Sequence, residues 1–125
     1  MSRVLVVEDN PDNMKLFRAL LTKRGHELIE LTTGSELLEA VSRNHPDLVL
    51  LDIQLPDKDG YTLLAELRRS SVGPVRVIAL TAHAGPGDRE RALSAGFYGY
   101  LTKPIYIRRF PDQIAQAIAG QPWES

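Results

Sequence analysis

Residues 1–120 read as one α/β domain, a doubly wound, five-stranded parallel sheet in the order 2-1-3-4-5 with five helices, followed by a short tail at 121–125. Three observations predict this. Short aliphatic runs alternate with stretches of helical period along the whole chain. The runs Val4–Val7, Leu48–Leu51 and Val75–Leu80 are nearly continuous in apolar residues, as strands buried on both faces are. Each such run stops at a polar residue: Glu8-Asp9, Asp52 and Thr81, with Lys103 after a shorter fifth run.

Val4–Val7 is the first strand. Asn10-Pro11 supplies an N-cap and first helical residue, Met14, Phe17, Leu20 and Leu21 follow at helical spacing, and Gly25 closes the helix. Glu27 to Thr32 alternates only partly and belongs at an edge. Thr33-Gly34-Ser35-Glu36 has the form of a capping box before a helix striped by Leu37, Leu38 and Val41. The third strand ends at Asp52, and Asp59-Gly60 opens a helix with Leu63, Leu64 and Leu67 inward. After the strand from Val75 to Leu80, a less apolar helix runs from about Gly87 to Ala95 and stops at Gly96. Tyr100-Leu101-Thr102 is the fifth strand. Ile107, Phe110, Ile114 and Ile118 mark a last helix starting near Arg108, because Pro111 is tolerated only in a first turn. With the weak second strand outermost, the first and third strands become neighbours. Right-handed crossovers then bring Glu8, Asp9 and Asp52 to one rim with Thr81 and Lys103.

Bulk properties narrow the function. The chain has 125 residues, so one core is expected within it and no second domain. Fifteen basic and sixteen acidic residues leave a net charge of −1, so neither nucleic acid nor an anionic membrane is an expected partner. No cysteine is present, which removes disulfides and thiolate chemistry. There is no run of apolar residues long enough to span a bilayer and no basic-then-apolar leader, so a cytoplasmic protein is expected.

Crowded carboxylates need either raised pKa values or a cation. The ligands at the rim are all oxygens, which suits Mg²⁺, with Mn²⁺ possible. Such an ion would neutralise an incoming phosphoryl group and leave one Asp as nucleophile. Lys103 would supply a point charge to the phosphoryl oxygens and Thr81 a hydroxyl donor. Asp57 and Asp59 are better explained by turn and N-cap duties.

The motifs Val6-Val7-Glu8-Asp9-Asn10, Leu50-Leu51-Asp52-Ile53-Gln54-Leu55-Pro56, Ala79-Leu80-Thr81-Ala82 and Tyr100-Leu101-Thr102-Lys103-Pro104 resemble those of bacterial two-component response regulator receiver domains, which have the flavodoxin-like (CheY-like) fold. Each motif is weak alone, and four in order at strand ends are strong. The resemblance covers Val4 to about Ile118. It implies that Asp52 accepts a phosphoryl group from a phosphohistidine on a histidine kinase or histidine phosphotransfer protein. It further implies Mg²⁺ ligation by Asp9, Asp52 and the Gln54 carbonyl, with Glu8 acting through water. Thr81 would move toward the phosphoryl group, Lys103 would pair with it, Tyr100 would change rotamer, and the Lys103-Pro104 bond would be cis. Gln54 and His83 would tune the lifetime of the acyl phosphate. The segments 7–17 and 87–91 are similar to stand-alone receivers of the DivK type, although receivers of hybrid histidine kinases share much of this wording. Gly85-Pro86 departs from the family's more usual longer side chain.

Such a chain modifies only its own side chain and is not expected to be an enzyme in the ordinary sense. An aspartyl-phosphate phosphatase would want its nucleophile on the first strand with a second Asp two residues later, where this chain has Glu8-Asp9-Asn10. A flavin carrier would want a Ser/Thr/Gly-rich phosphate cradle there. His26, His45 and His83 have no metal-ligand spacing and read as surface residues. Tyr98, Tyr106, Arg108 and Arg109 are of the types that anchor interfaces. They are expected to form a face on the fourth helix, fifth strand and fifth helix for a downstream protein target. Trp123 reads as part of a loose end or as a ring laid on the surface.

Overall fold

A computed structural model describes residues 2–82 and 85–123. Five strands, β1 (Arg3–Val7), β2 (Glu27–Leu31), β3 (Leu48–Asp52), β4 (Val77–Thr81) and β5 (Gly99–Thr102), form one sheet in the order β2-β1-β3-β4-β5, parallel throughout. The helices are α1 (Pro11–Lys23), α2 (Leu37–Asn44), α3 (Gly60–Arg69), α4 (Asp88–Ala95) and α5 (Phe110–Ile118). This is the expected topology, and weakly apolar β2 takes an edge, where none of its residues is fully buried, while β1, β3 and β4 lie inside.

Alternation along the strands splits the core into two layers. Val4, Val6, Leu48, Leu50, Ile78 and Leu80 face α1 and α5, where they meet Met14, Phe17, Leu21, Phe110, Ile114 and Ala117. Leu5, Val7, Val49, Leu51, Val77 and Ala79 face α2, α3 and α4, against Leu37, Val41, Leu63, Leu64, Leu67 and Ala92. Each fully buried aliphatic side chain contributes about 1.5–3 kcal/mol, so both helix layers are tightly specified. Phe17 and Phe110, with ring centroids 5.5 Å apart, join α1 to α5.

Local signals act largely as expected. Asn10 caps α1 by accepting from the Asn13 N–H at 3.0 Å, with Pro11 in the first turn. Asp59 caps α3 by accepting from the N–H groups of Tyr61 and Thr62. Two expectations are corrected. The Thr33 side chain makes no capping bond, and a short 3-10 turn at Gly34–Glu36 precedes α2. The N–H groups of Gly34 and Ser35 are instead taken by Asp57, from the loop after β3, at 3.1 and 3.0 Å. The last helix begins at Phe110 rather than Arg108, which puts Pro111 in its first turn and leaves Ile107 outside it, 53% exposed. Trp123 takes the second of its two expected forms, its partly buried ring laid against the layer beneath α1 and α5.

Candidate functional site

The parallel sheet aligns the carboxyl ends of β1, β3, β4 and β5, and the strand order reverses between β1 and β3. Register therefore fixes the rim: Val7 pairs with Leu51, Asp52 with Leu80, and Thr81 with Thr102. Glu8 and Asp9 follow β1, Asp52 ends β3, Thr81 ends β4, and Lys103 follows β5, its N–H donating to the Thr81 carbonyl at 2.8 Å.

Among the described residues, Glu8, Asp9 and Asp52 place one carboxylate oxygen each within 4.8 Å of one another. Glu8 and Asp52 are buried, and Asp9 is exposed at the mouth. Lys103 Nζ lies between the two buried acids, 3.1 Å from Glu8 Oε1 and 2.9 Å from Asp52 Oδ2. The Asn10 N–H donates to Glu8 Oε2 at 3.2 Å, and the Gln54 N–H donates to Asp52 Oδ1 at 2.8 Å. Burial pushes the Glu8 carboxyl above its ordinary range; bonds from Lys103 and the Asn10 N–H oppose that, and Asp52 adds to it. Burial would lower the Lys103 ammonium, but its bonds to Asp52 and Glu8 outweigh that and raise it. Lys103 thus stays charged and holds two acids that would otherwise repel. The donors are hard oxygens at the spacing of one small divalent cation's shell, so the residues fit Mg²⁺ or Mn²⁺.

The loop after β3 is positioned from below. A Cβ at Gly60 would come within 2.6 Å of the Ile53 Cα, so the start of α3 lies directly on the segment carrying Gln54. Gln54 Oε1 accepts the Ala82 N–H at 3.2 Å, which ties this loop to the one after β4. His83, the other expected tuning residue, lies outside the described residues. The Lys103-Pro104 bond is cis.

Tyr100 is 8% exposed and packs in the α2–α4 layer; burial raises its phenol, with Asp88 and then Tyr61 adding to the effect. A cleft beside it is lined by Gln54, Asp59, Tyr61, Thr81, Asp88 and Arg91. Arg91 lies 4.4 Å over the Tyr61 ring, and Tyr61 meets Phe97 edge-on. Sequence reading missed this wall, which α3 and α4 build only when docked side by side. Tyr106 is 68% exposed and shares a second cleft with Arg89, Tyr100, Arg109 and Gln113, beside exposed Arg108. Tyr98 does not join that face. Its ring lies under the Arg76 guanidinium at the opposite end of β5, and its hydroxyl donates to the Gln121 carbonyl. His26 is partly buried rather than superficial, and burial lowers its imidazole.

Comparison with known proteins agrees with this geometry. The family model described as the response regulator receiver domain matches residues 4–115. The polar-differentiation response regulator DivK of Brucella ovis is 43% identical over 112 residues, which cover 89% of this chain and 91% of that protein. The receiver domain of a sensor histidine kinase from Pseudomonas aeruginosa PAO1, solved with a magnesium ion coordinated in its active-site cleft, is 36% identical. It superposes with a TM-score of 0.83 over 96% of this chain and 98% of that one. A LuxR-family two-component response regulator from an Aurantimonas species superposes with a TM-score of 0.88 at 27% identity, covering 100% of this chain and 90% of that one. No helix among the described residues is long and apolar enough to cross a membrane. The chain belongs to the response regulator receiver domain family.

Proposed function

We propose that this receiver is a phosphorylatable switch in which Asp52 takes a phosphoryl group from the phosphohistidine of a histidine kinase or histidine phosphotransfer protein. The observation that carries the reading is the convergence of Glu8, Asp9 and Asp52 oxygens within 4.8 Å, with Lys103 bridging the two buried acids. In the proposed step an Asp52 carboxylate oxygen attacks phosphorus, the new O–P bond replaces the N–P bond, and the freed imidazole nitrogen keeps or takes up the proton. Asp9, Asp52 and the Gln54 carbonyl would hold Mg²⁺, or Mn²⁺, with Glu8 acting through water. When bound, the ion offsets the charge gathering on the phosphoryl oxygens. Lys103 pairs with one of those oxygens and the Thr81 hydroxyl donates to another. The Gln54 side chain, spanning to Ala82, governs water's approach to the acyl phosphate, as does His83. Exchange of Tyr100 between its buried place and an exposed one carries the signal outward.

The donor's reaction ends on the protein itself, so no external substrate is turned over. Output is proposed to pass to another protein through α4, β5 and α5, where Tyr106, Arg108 and Arg109 stand exposed. The likeness to the response regulator DivK, matched over 91% of its length, and to the receiver domain of a Pseudomonas sensor histidine kinase, solved with magnesium in its cleft, supports this reading.

Incubation with Mg²⁺ and phosphoramidate or acetyl phosphate tests the reading. One labile phosphate per chain is expected, lost in Asp52→Asn and on chelation. Rapid hydrolysis of many unrelated phosphate esters would instead place the chain among phosphatases.

A further inference from the structure

We infer that residues Gln121–Trp123 form a strap seated on β5, linking the phosphoacceptor rim mechanically to the carboxyl-terminal end of the described chain. This rests on the switch reading above. Gly99 opens β5 and points into the layer beneath α1 and α5, where its register partner is Ile78. It brings no side chain there. The Trp123 ring fills the place: a Cβ on Gly99 would overlap three of its carbons. A glycine within a strand marks such a close approach.

The path of the chain makes this seat specific. At the end of α5, Gly120 adopts φ +81°, and the Gln121 N–H reaches back to the Gln116 carbonyl at 3.0 Å. The chain then turns across the sheet toward β5. The Gln121 carbonyl accepts the Tyr98 hydroxyl, and Arg76 covers both the Tyr98 ring and Gly120. Two consecutive residues, Tyr98 and Gly99, are thus held by the strap, and the next is Tyr100. Lys103, bonded to Asp52, is four residues beyond Gly99, about 13 Å along an extended strand. One short element therefore carries the strap at one end and the site's ammonium at the other.

The seat is also poised rather than locked. Among the described residues the buried Trp123 indole N–H has no acceptor, which weakens its hold. A shift of β5 that moved Lys103 or Tyr100 would act directly on this contact.

Trp123 is the single tryptophan of the chain, so its emission reports on the strap without labelling. Emission and acrylamide quenching are measured on the full chain in Mg²⁺ alone and with phosphoramidate, while mass spectrometry follows Asp52 phosphorylation. In Mg²⁺ alone the emission is expected blue of the urea-unfolded chain and protected from quencher. It is expected to shift on phosphorylation and not in Asp52→Asn. Gly99→Ala should expel the ring and move emission to the unfolded value with far-UV circular dichroism kept. Should that variant fail to fold, Tyr98→Phe, which removes only the bond to Gln121, is expected to raise quencher access. Unfolded-like emission in the resting protein overturns the strap. A confirmed phosphate with unchanged emission overturns the link. Absence of any phosphate overturns the switch reading and the link with it, and protected resting emission then tells that failure from failure of the strap.

Discussion

Lys103→Met removes the cation shared by two buried carboxylates and keeps an unbranched stem in its place. In the native site the ammonium is 3.1 Å from Glu8 Oε1 and 2.9 Å from Asp52 Oδ2, and the three side chains are only 14%, 0% and 2% exposed. Deleting one partner of a buried ion pair costs on the order of 3–5 kcal/mol. Proton uptake sets a ceiling on that cost. Protonating Glu8 near pH 7 from an ordinary value of 4.5 costs about 3.4 kcal/mol, at about 1.36 kcal/mol per pH unit. The variant is therefore expected to lose about 2–3.5 kcal/mol of unfolding free energy near pH 7 without divalent ions. The loss should shrink to below about 1 kcal/mol near pH 5, where a proton is taken up readily. Mg²⁺ should also stabilise the variant more than the parent, because no ammonium competes for the same oxygens. A concentration 100-fold above Kd is worth about 2.7 kcal/mol. Urea unfolding followed by far-UV circular dichroism, near pH 7 and pH 5, in chelator and in Mg²⁺, measures all of this. A change below about 0.5 kcal/mol, or a loss indifferent to both pH and Mg²⁺, would refute the argument.

Asp59→Ala strips the cap from α3 and should cost about 1 kcal/mol in urea unfolding, most of it recovered in Asp59→Asn; equal behaviour of the two variants would contradict the capping role. Gly60→Ala drives a Cβ to within 2.6 Å of the Ile53 Cα; it should cost about 1–3 kcal/mol. It should also weaken Mg²⁺ binding in a titration, since the displaced loop carries the Gln54 carbonyl; native affinity would count against that carbonyl as a ligand. His26 has an imidazole lowered from 6.5, chiefly by burial and then by Arg24. The unfolded chain therefore binds its proton first, and this contribution is complete above about pH 6.5 and fades as pH falls through the folded value. Between about pH 7.5 and 5.5 the melting temperature of His26→Gln should fall less than that of the parent, and parallel curves would exclude the effect.

The topology was readable because both layers leave their mark on the same strands. Val4–Val7 and Leu48–Leu51 are apolar at every position only because α1 and α5 cover one face and α2, α3 and α4 the other. The same logic placed β2 at the edge and brought Glu8, Asp9 and Asp52 together. What escaped depends on partners far away in sequence. Thr33 has the right spelling for a cap, yet it makes no capping bond, and Asp57 takes the neighbouring N–H groups of Gly34 and Ser35 from a loop 22 residues beyond Ser35. Tyr98 and Tyr106 are of similar type and close in sequence, but α5 returns the tail beside Tyr98 and leaves Tyr106 in the open. Nothing local to Trp123 announces its seat. The available signal was the glycine at the head of an otherwise bulky strand, and it has meaning only once the tail's path is known.

Borohydride reduction of the phosphorylated protein, followed by peptide mass spectrometry, tests the central claim most directly, because it converts an acyl-phosphorylated aspartate to homoserine and marks the modified residue. Homoserine is expected at position 52 alone, formed only when Mg²⁺ or Mn²⁺ is present. Homoserine at Asp9 or elsewhere, or the same yield in chelator, would contradict it.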